Sequence, residues 1–155
     1  MSNNCVFLLN QRYGYIDTGI QRGTGNIYCL DTATWDTSTI TDMSSMFLKF
    51  ENLCFLNLSN FNTSLVTNMG SMFYDCYKLS TLTLGPDWGI NTSISSFDLS
   101  YCPLTHDSCL DVFNKLADKT QTATTSATLK LSSTTKALMS DDEIAIATAK
   151  GWTVS

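Results

Sequence analysis

One stretch of this chain occurs twice, and the repetition limits what the chain can fold into. Residues 35–60 read WDTSTITDMSSMFLKFENLCFLNLSN, and residues 61–86 read FNTSLVTNMGSMFYDCYKLSTLTLGP. The two align without a gap at an offset of 26 residues. Trp35 falls on Phe61, Thr37-Ser38 on Thr63-Ser64, Asp42-Met43 on Asn68-Met69, and Ser45-Met46-Phe47 on Ser71-Met72-Phe73. Leu53, Leu56 and Leu58 then fall on Leu79, Leu82 and Leu84. Self-similarity at a fixed period of this length marks a repeat architecture, in which a unit cannot bury its apolar face alone and stacks on its neighbour. In each L-x-x-L-x-L the last two leucines alternate with polar residues, as a strand with one buried face requires.

Ile27, Leu30 and Thr32 stand in the same phase, 26 residues before Leu53, Leu56 and Leu58, and form a degenerate first copy. Ile94, Phe97 and Leu99 repeat the pattern again, only 15 residues after Leu79. Strands over 27–32, 53–58, 79–84 and 94–99 are therefore expected in one parallel sheet, with the methionine segment deleted from the third unit. Met43, Met46 and Phe47 stand at i, i+3 and i+4, as do Met69, Met72 and Phe73. Behind Asp42 and Asn68 as N-caps, that spacing predicts a short helix with one apolar face.

The flanks do not carry the repeat. Residues 6–9 and 13–20 read as strands of an N-terminal cap or attachment segment over 1–26. After Pro103, Thr105 can cap a helix over 106–118 with Cys109, Leu110, Phe113, Leu116 and Ala117 inward. Residues 128–131 read as a strand continuing the sheet. Ser140 and Glu143 form a capping box for a helix that runs to Lys150 and ends at Gly151. Residues 152–154 read as a final edge strand. The expected fold class is α/β: a short leucine-rich-repeat solenoid with one parallel sheet and terminal caps. Its parts are the segment 1–26, the repeats 27–100 and an α/β cap over 101–155.

The motif [WF]-[DN]-T-S-x-[IV]-T-[DN]-M-x-S-M-F, followed by L-x-x-L-x-L, resembles the BspA-like leucine-rich repeats of bacterial surface proteins. The tail ending in Lys150-Gly151-Trp152-Thr153-Val154 is similar to the cap that follows such repeats in proteins of gut bacteria and their phages. The resemblance implies adhesion, host-protein binding or phage attachment, and no enzymatic activity.

Residue chemistry points the same way. The net charge is −5 and the nine Lys and Arg form no basic run, so no nucleic-acid footprint is present. No stretch reaches the roughly 18 apolar residues of a membrane span, and the first residues lack the basic start of a secretory signal. The six cysteines form no C-x-x-C pair, and Cys76 stands where the other copy has Phe50. They are expected to be free thiols acting as small buried hydrophobes. The single histidine, His106, lies near Cys102 and Cys109, but the spacing matches no zinc pattern. Asp107 and Ser108 beside it do not make a triad, and Asp87 and Asp98 read as a turn and a strand-surface residue rather than an acid–base pair. No cofactor or metal is expected.

A binding surface is the more credible site. The residues between the leucines should face outward on a concave sheet: Tyr28 and Asp31, Phe55 and Asn57, Thr81 and Thr83, Ser96 and Asp98. Aromatic residues among small hydroxyls suit protein recognition. The expected role is a non-catalytic protein-binding or scaffolding module, either a phage virion appendage or receptor-binding component, or a bacterial cell-surface adhesin. Its partner would be a virion subunit or a cell-surface receptor, met as a homo-oligomer or within a larger assembly, at a virion or cell surface, without nucleic acid and without membrane insertion.

Overall fold

A computed structural model describes residues 5–7, 29–120 and 127–155. The expected strand over 13–20 and the role of most of 1–26 lie outside them, as does Tyr28. The described residues form a mixed α/β structure with two small parallel sheets. The first sheet has the order β1 (Cys5–Phe7), β2 (Cys29–Asp31), β3 (Phe55–Leu58) and β4 (Thr81–Leu84). The second has the order β5 (Ser96–Leu99), β6 (Ala127–Leu131) and β7 (Trp152–Val154). Helices α1 (His106–Lys115), α2 (Ser133–Lys136) and α3 (Asp141–Ala149) accompany the second sheet in sequence.

The 26-residue period is visible in the pairing. Phe55 pairs with Thr81, Leu56 with Leu82, Asn57 with Thr83 and Leu58 with Leu84. The leucines are buried and the residues between them face outward. A second ladder links the same two units through their methionine segments. The N–H groups of Met43, Ser45, Phe47 and Lys49 donate to the carbonyls of Asn68, Gly70, Met72 and Tyr74 at 2.8–3.0 Å. Inside, aromatic rings follow one another from unit to unit. Trp35 lies 6.1 Å from Phe61, Phe47 5.5 Å from Phe73, and Phe73 5.8 Å from Phe97.

The methionine segments are not helices. Met46 N–H bonds the Met43 carbonyl, Leu48 that of Ser45, and Phe50 that of Phe47. These are successive tight turns, and Ser45, Lys49, Ser71 and Asp75 adopt positive φ of 55–63°, which no continuous right-handed helix allows. The i, i+3, i+4 spacing was met by turns, and Met43, Met46 and Phe47 still point into the core. Asp42 and Asn68 do not cap helices. Each closes an Asx turn onto the N–H two residues on, of Ser44 and Gly70 respectively. The same device recurs at Asp36, Asn62 and Asn91.

The expectation of one sheet fails at β5. That strand joins β6 and β7, not β4. Phe97 packs against Phe73, and Tyr101 lies 4.4 Å from Tyr74. The Cys102 thiol faces the Phe73 carbonyl as the Cys76 thiol faces that of Phe47. Residues 94–101 therefore occupy the place of the methionine segment in a third unit, so that segment was replaced rather than deleted. The slot beside β4 is taken by the start of α1. Thr105 N–H donates to the Ser80 carbonyl at 2.9 Å. The Ser108 hydroxyl accepts from Leu82 N–H at 2.8 Å and donates to the Leu82 carbonyl at 3.2 Å. Residues 127–131 likewise continue the second sheet, not the first.

The expected helix over 106–118 ends at Lys115, so Leu116 and Ala117 are buried beyond it rather than on its face. The short α2 carried no sequence expectation; the caps follow their signals. Thr105 caps α1, and Ser140 with Glu143 forms the capping box of α3. Gly151 has φ +81° just beyond that helix. Lys150 closes a neighbouring helix end, its ammonium donating to the carbonyls of Phe113, Asn114 and Leu116.

Candidate functional site

The outer face of the first sheet brings together five of the predicted residues. Asp31 ends β2, Phe55 and Asn57 stand on β3, and Thr81 and Thr83 stand on β4. Phe55 is 61% exposed, directly opposite Thr81, and Asn57 is opposite Thr83. Leaving a phenyl ring in water forgoes roughly 1.5–3 kcal/mol of burial, which makes Phe55 the most conspicuous residue of this face. Asp31 and Asn57 also have structural work, since each accepts from the N–H two residues on, in Ala33 and Ser59.

Ser96 and Asp98 are not part of this face. They lie on β5 in the second sheet, opposite Thr128 and Lys130. Asp98 is partly buried, which opposes ionisation, yet the hydrogen bonds from Ser100 and the Lys130 ammonium at 3.3 Å hold its carboxyl below the usual range. Its carboxylate is held on the second sheet by Ser100 and Lys130.

Sequence reasoning missed the residues that border β4 on its far side. Thr105, Asp107, Ser108 and Asp111 come from α1 and line a cleft of about 400 Å³ together with Thr81 and Thr83. The signal was the 26-residue spacing of Ser108 from Leu82, which places α1 in the next strand slot.

Among the described residues, His106 is engaged by two carboxylates and three of the thiols are buried. His106 Nδ1 lies 3.1 Å from Asp107 and Nε2 lies 2.8 Å from Glu143. The hydrogen bond to Asp107, with that to Glu143, pushes the imidazole above its ordinary value. Burial pushes the Cys76 and Cys109 thiols up to about 12 and raises that of Cys102. Cys54, Cys76, Cys102 and Cys109 are free thiols, and the last three are fully buried. Among the described residues no cluster of His, Cys, Asp and Glu is arranged to hold a metal ion, and no helix is long and apolar enough to cross a membrane.

Fold and surface together define a mixed α/β protein with two small parallel sheets and an exposed phenylalanine on the outer face of the first. The family described as "Mycoplasma protein of unknown function, DUF285" matches residues 21–107, more than half of the chain, and the chain belongs to that family. No curated protein and no solved structure matches it.

Proposed function

We propose that this chain is a BspA-like leucine-rich-repeat solenoid that acts as a non-catalytic protein-binding or scaffolding module, in a phage virion appendage or receptor-binding component. The observation that carries the reading is Phe55, 61% exposed at the start of β3 on a sheet face it shares with Asp31, Asn57, Thr81 and Thr83. An exposed aromatic ring ringed by small hydroxyl and amide groups is the composition of a protein-recognition centre. The burial of three thiols and the engagement of His106 by two carboxylates favour a non-catalytic role. One module offers a small face, so repetition on a multimeric particle would supply the strength of attachment.

The experiment is capture on immobilised protein from purified phage particles and, separately, from gut-bacterial envelope, with Phe55→Ala as the control and light scattering for the mass in solution. Capture from particles that Phe55→Ala abolishes is the expected result. Capture from envelope alone would favour a cell-surface adhesin. A monomer that captures from neither source and turns over a small substrate would overturn the proposal.

A further inference from the structure

We propose that the groove across the carboxyl ends of β2, β3 and β4 binds a neutral oligosaccharide, a ligand class separate from the protein partner of the outer sheet face.

Two clefts make the groove. One, of about 350 Å³, is lined by Asp31 and Ala33 at the end of β2 and by Asn57 and Ser59 at the end of β3. The other, of about 430 Å³, is lined by Asn62 and Ser64 from the second unit and by Asp87 and Ile90 from the third. Ser59 and Asn60 line both, so the clefts adjoin. Hydrogen bonds between units set the walls. Asn60 Nδ2 donates to the Thr32 and Trp35 carbonyls at 3.0 and 3.1 Å. The Thr37 hydroxyl accepts from Asn62 N–H at 2.8 Å, and the Thr63 hydroxyl accepts from Gly89 N–H at 3.2 Å. The groove is thus formed before a ligand arrives, which lowers the ordering cost of binding.

The class of ligand follows from the lining. Ser59, Asn62, Ser64 and Asp87 are exposed. Among the described residues, no protein group engages the two serine hydroxyls, the Asn62 amide N–H groups or the Asp87 carboxylate. They offer donors and acceptors side by side. Pro86 is exposed and Ile90 is 44% exposed, which gives the same cleft an apolar wall. A pyranose ring has the matching form, with hydroxyls around its edge and C–H groups on its face. No lysine or arginine lines either cleft, so an anion finds no counter-charge. The groove also lacks what a peptide uses. It runs across strand ends and not along a sheet edge, and its one aromatic ring, Phe61, is only 2% exposed. Neither an added strand nor a proline-rich segment finds its platform there. Neighbouring strands lie about 4.8 Å apart, a step comparable to that from one sugar ring to the next in an extended glycan.

The test is an amide-resolved NMR titration of the full chain with cellotetraose, chitotetraose, mannotetraose and maltotetraose. Tetragalacturonate and tetra-alanine are the comparisons. The expected result is saturable shifts at Ser59, Asn62, Ser64, Asp87 and Ile90 with at least one neutral sugar and with neither comparison. Saturation of those signals by tetragalacturonate or tetra-alanine would overturn the proposal. Silence toward all four neutral sugars would also overturn it and leave the protein-binding face intact. Ser64→Trp places an indole in the second cleft and should abolish the shifts. Asp87→Asn retains a residue type that tolerates the φ of +52° and should weaken binding about fivefold. Amide dispersion equal to the parent's shows that each variant is folded. Phe55 lines neither cleft, so Phe55→Ala should bind the sugar as the parent does. Sugar binding lost in Phe55→Ala, or kept in Ser64→Trp, would refute the groove.

Discussion

The slot beside β3 and the slot beside β4 are equivalent in the repeat, yet different chemistry fills them. Next to β3 stands β4, a copy of the same strand, and leucine meets leucine at both buried positions. Next to β4 stands α1, and the hydroxyl of Ser108 meets both the N–H and the carbonyl of Leu82. A parallel sheet ends in unpaired backbone groups that invite another chain to pair. Here one serine hydroxyl does at Leu82 what a fifth strand would have done, and the helix can then turn away toward the second sheet. The comparison teaches that the repeat sets the spacing of slots, while the residue arriving at each slot decides whether the stack continues or stops.

The sharpest way to break the repeated side is at its leucines. Leu56→Ala and Leu82→Ala each remove a core side chain that is at most 2% exposed, and each should cost about 2–5 kcal/mol in denaturant unfolding. The closing side should give less. Ser108→Ala leaves the Leu82 N–H and carbonyl without their partner, and an expected loss of about 1–3 kcal/mol follows. If Ser108→Ala unfolded as late as the parent, the stop would depend on helix packing and not on the hydroxyl. On the outer face, Thr83→Ala should change stability by less than about 1 kcal/mol, and a loss equal to that of Leu82→Ala would undo the facing of β4.

These positions also mark what could be read from the sequence. The alignment of residues 35–60 on 61–86 gave the register of β3 on β4 and the buried and exposed sides of both strands. The caps of α1 and α3 were legible because Thr105, Ser140 and Glu143 act locally. The place of β5 was not, because Ile94-x-x-Phe97-x-Leu99 meets the leucine pattern equally well on either side of the unit. Cys102 held the answer, standing 26 residues after Cys76 with the same thiol-to-carbonyl contact. The turns of the methionine segment were hidden for a related reason, since consecutive turns and a helix both bring i and i+3 together. Of the candidate site, Phe55, Asn57, Thr81 and Thr83 followed from strand alternation. Asp107 and Asp111 did not, because they meet β4 only through the helix that replaced a strand.

The smallest effect is expected where α1 meets α3, and it depends on pH. His106 bridges Asp107 and Glu143, and its pKa is raised above the ordinary 6.5, first by Asp107 and then by Glu143. A raised folded value means the imidazolium contributes stability in full below about 6.5, and that the contribution fades as pH rises through the folded value. Glu143 is shifted the other way, below 4.5, chiefly by the Ser140 backbone N–H and hydroxyl and then by His106. Its contribution is complete above 4.5 and fades as pH falls through the lowered value. The two overlap fully between about 4.5 and 6.5. His106→Gln should therefore be less stable than the parent in that window and converge on it at higher pH. On the acid side both proteins should weaken together, because the capping box that lowers Glu143 survives the substitution. The bridge is solvent-exposed, so added salt should shrink the difference. Melting temperatures of both proteins from pH 4 to 9, with the His106 midpoint followed by NMR, check the sign. A midpoint below 6.5, or a gap that widens toward pH 9, would show that the two carboxylates do not hold the imidazolium.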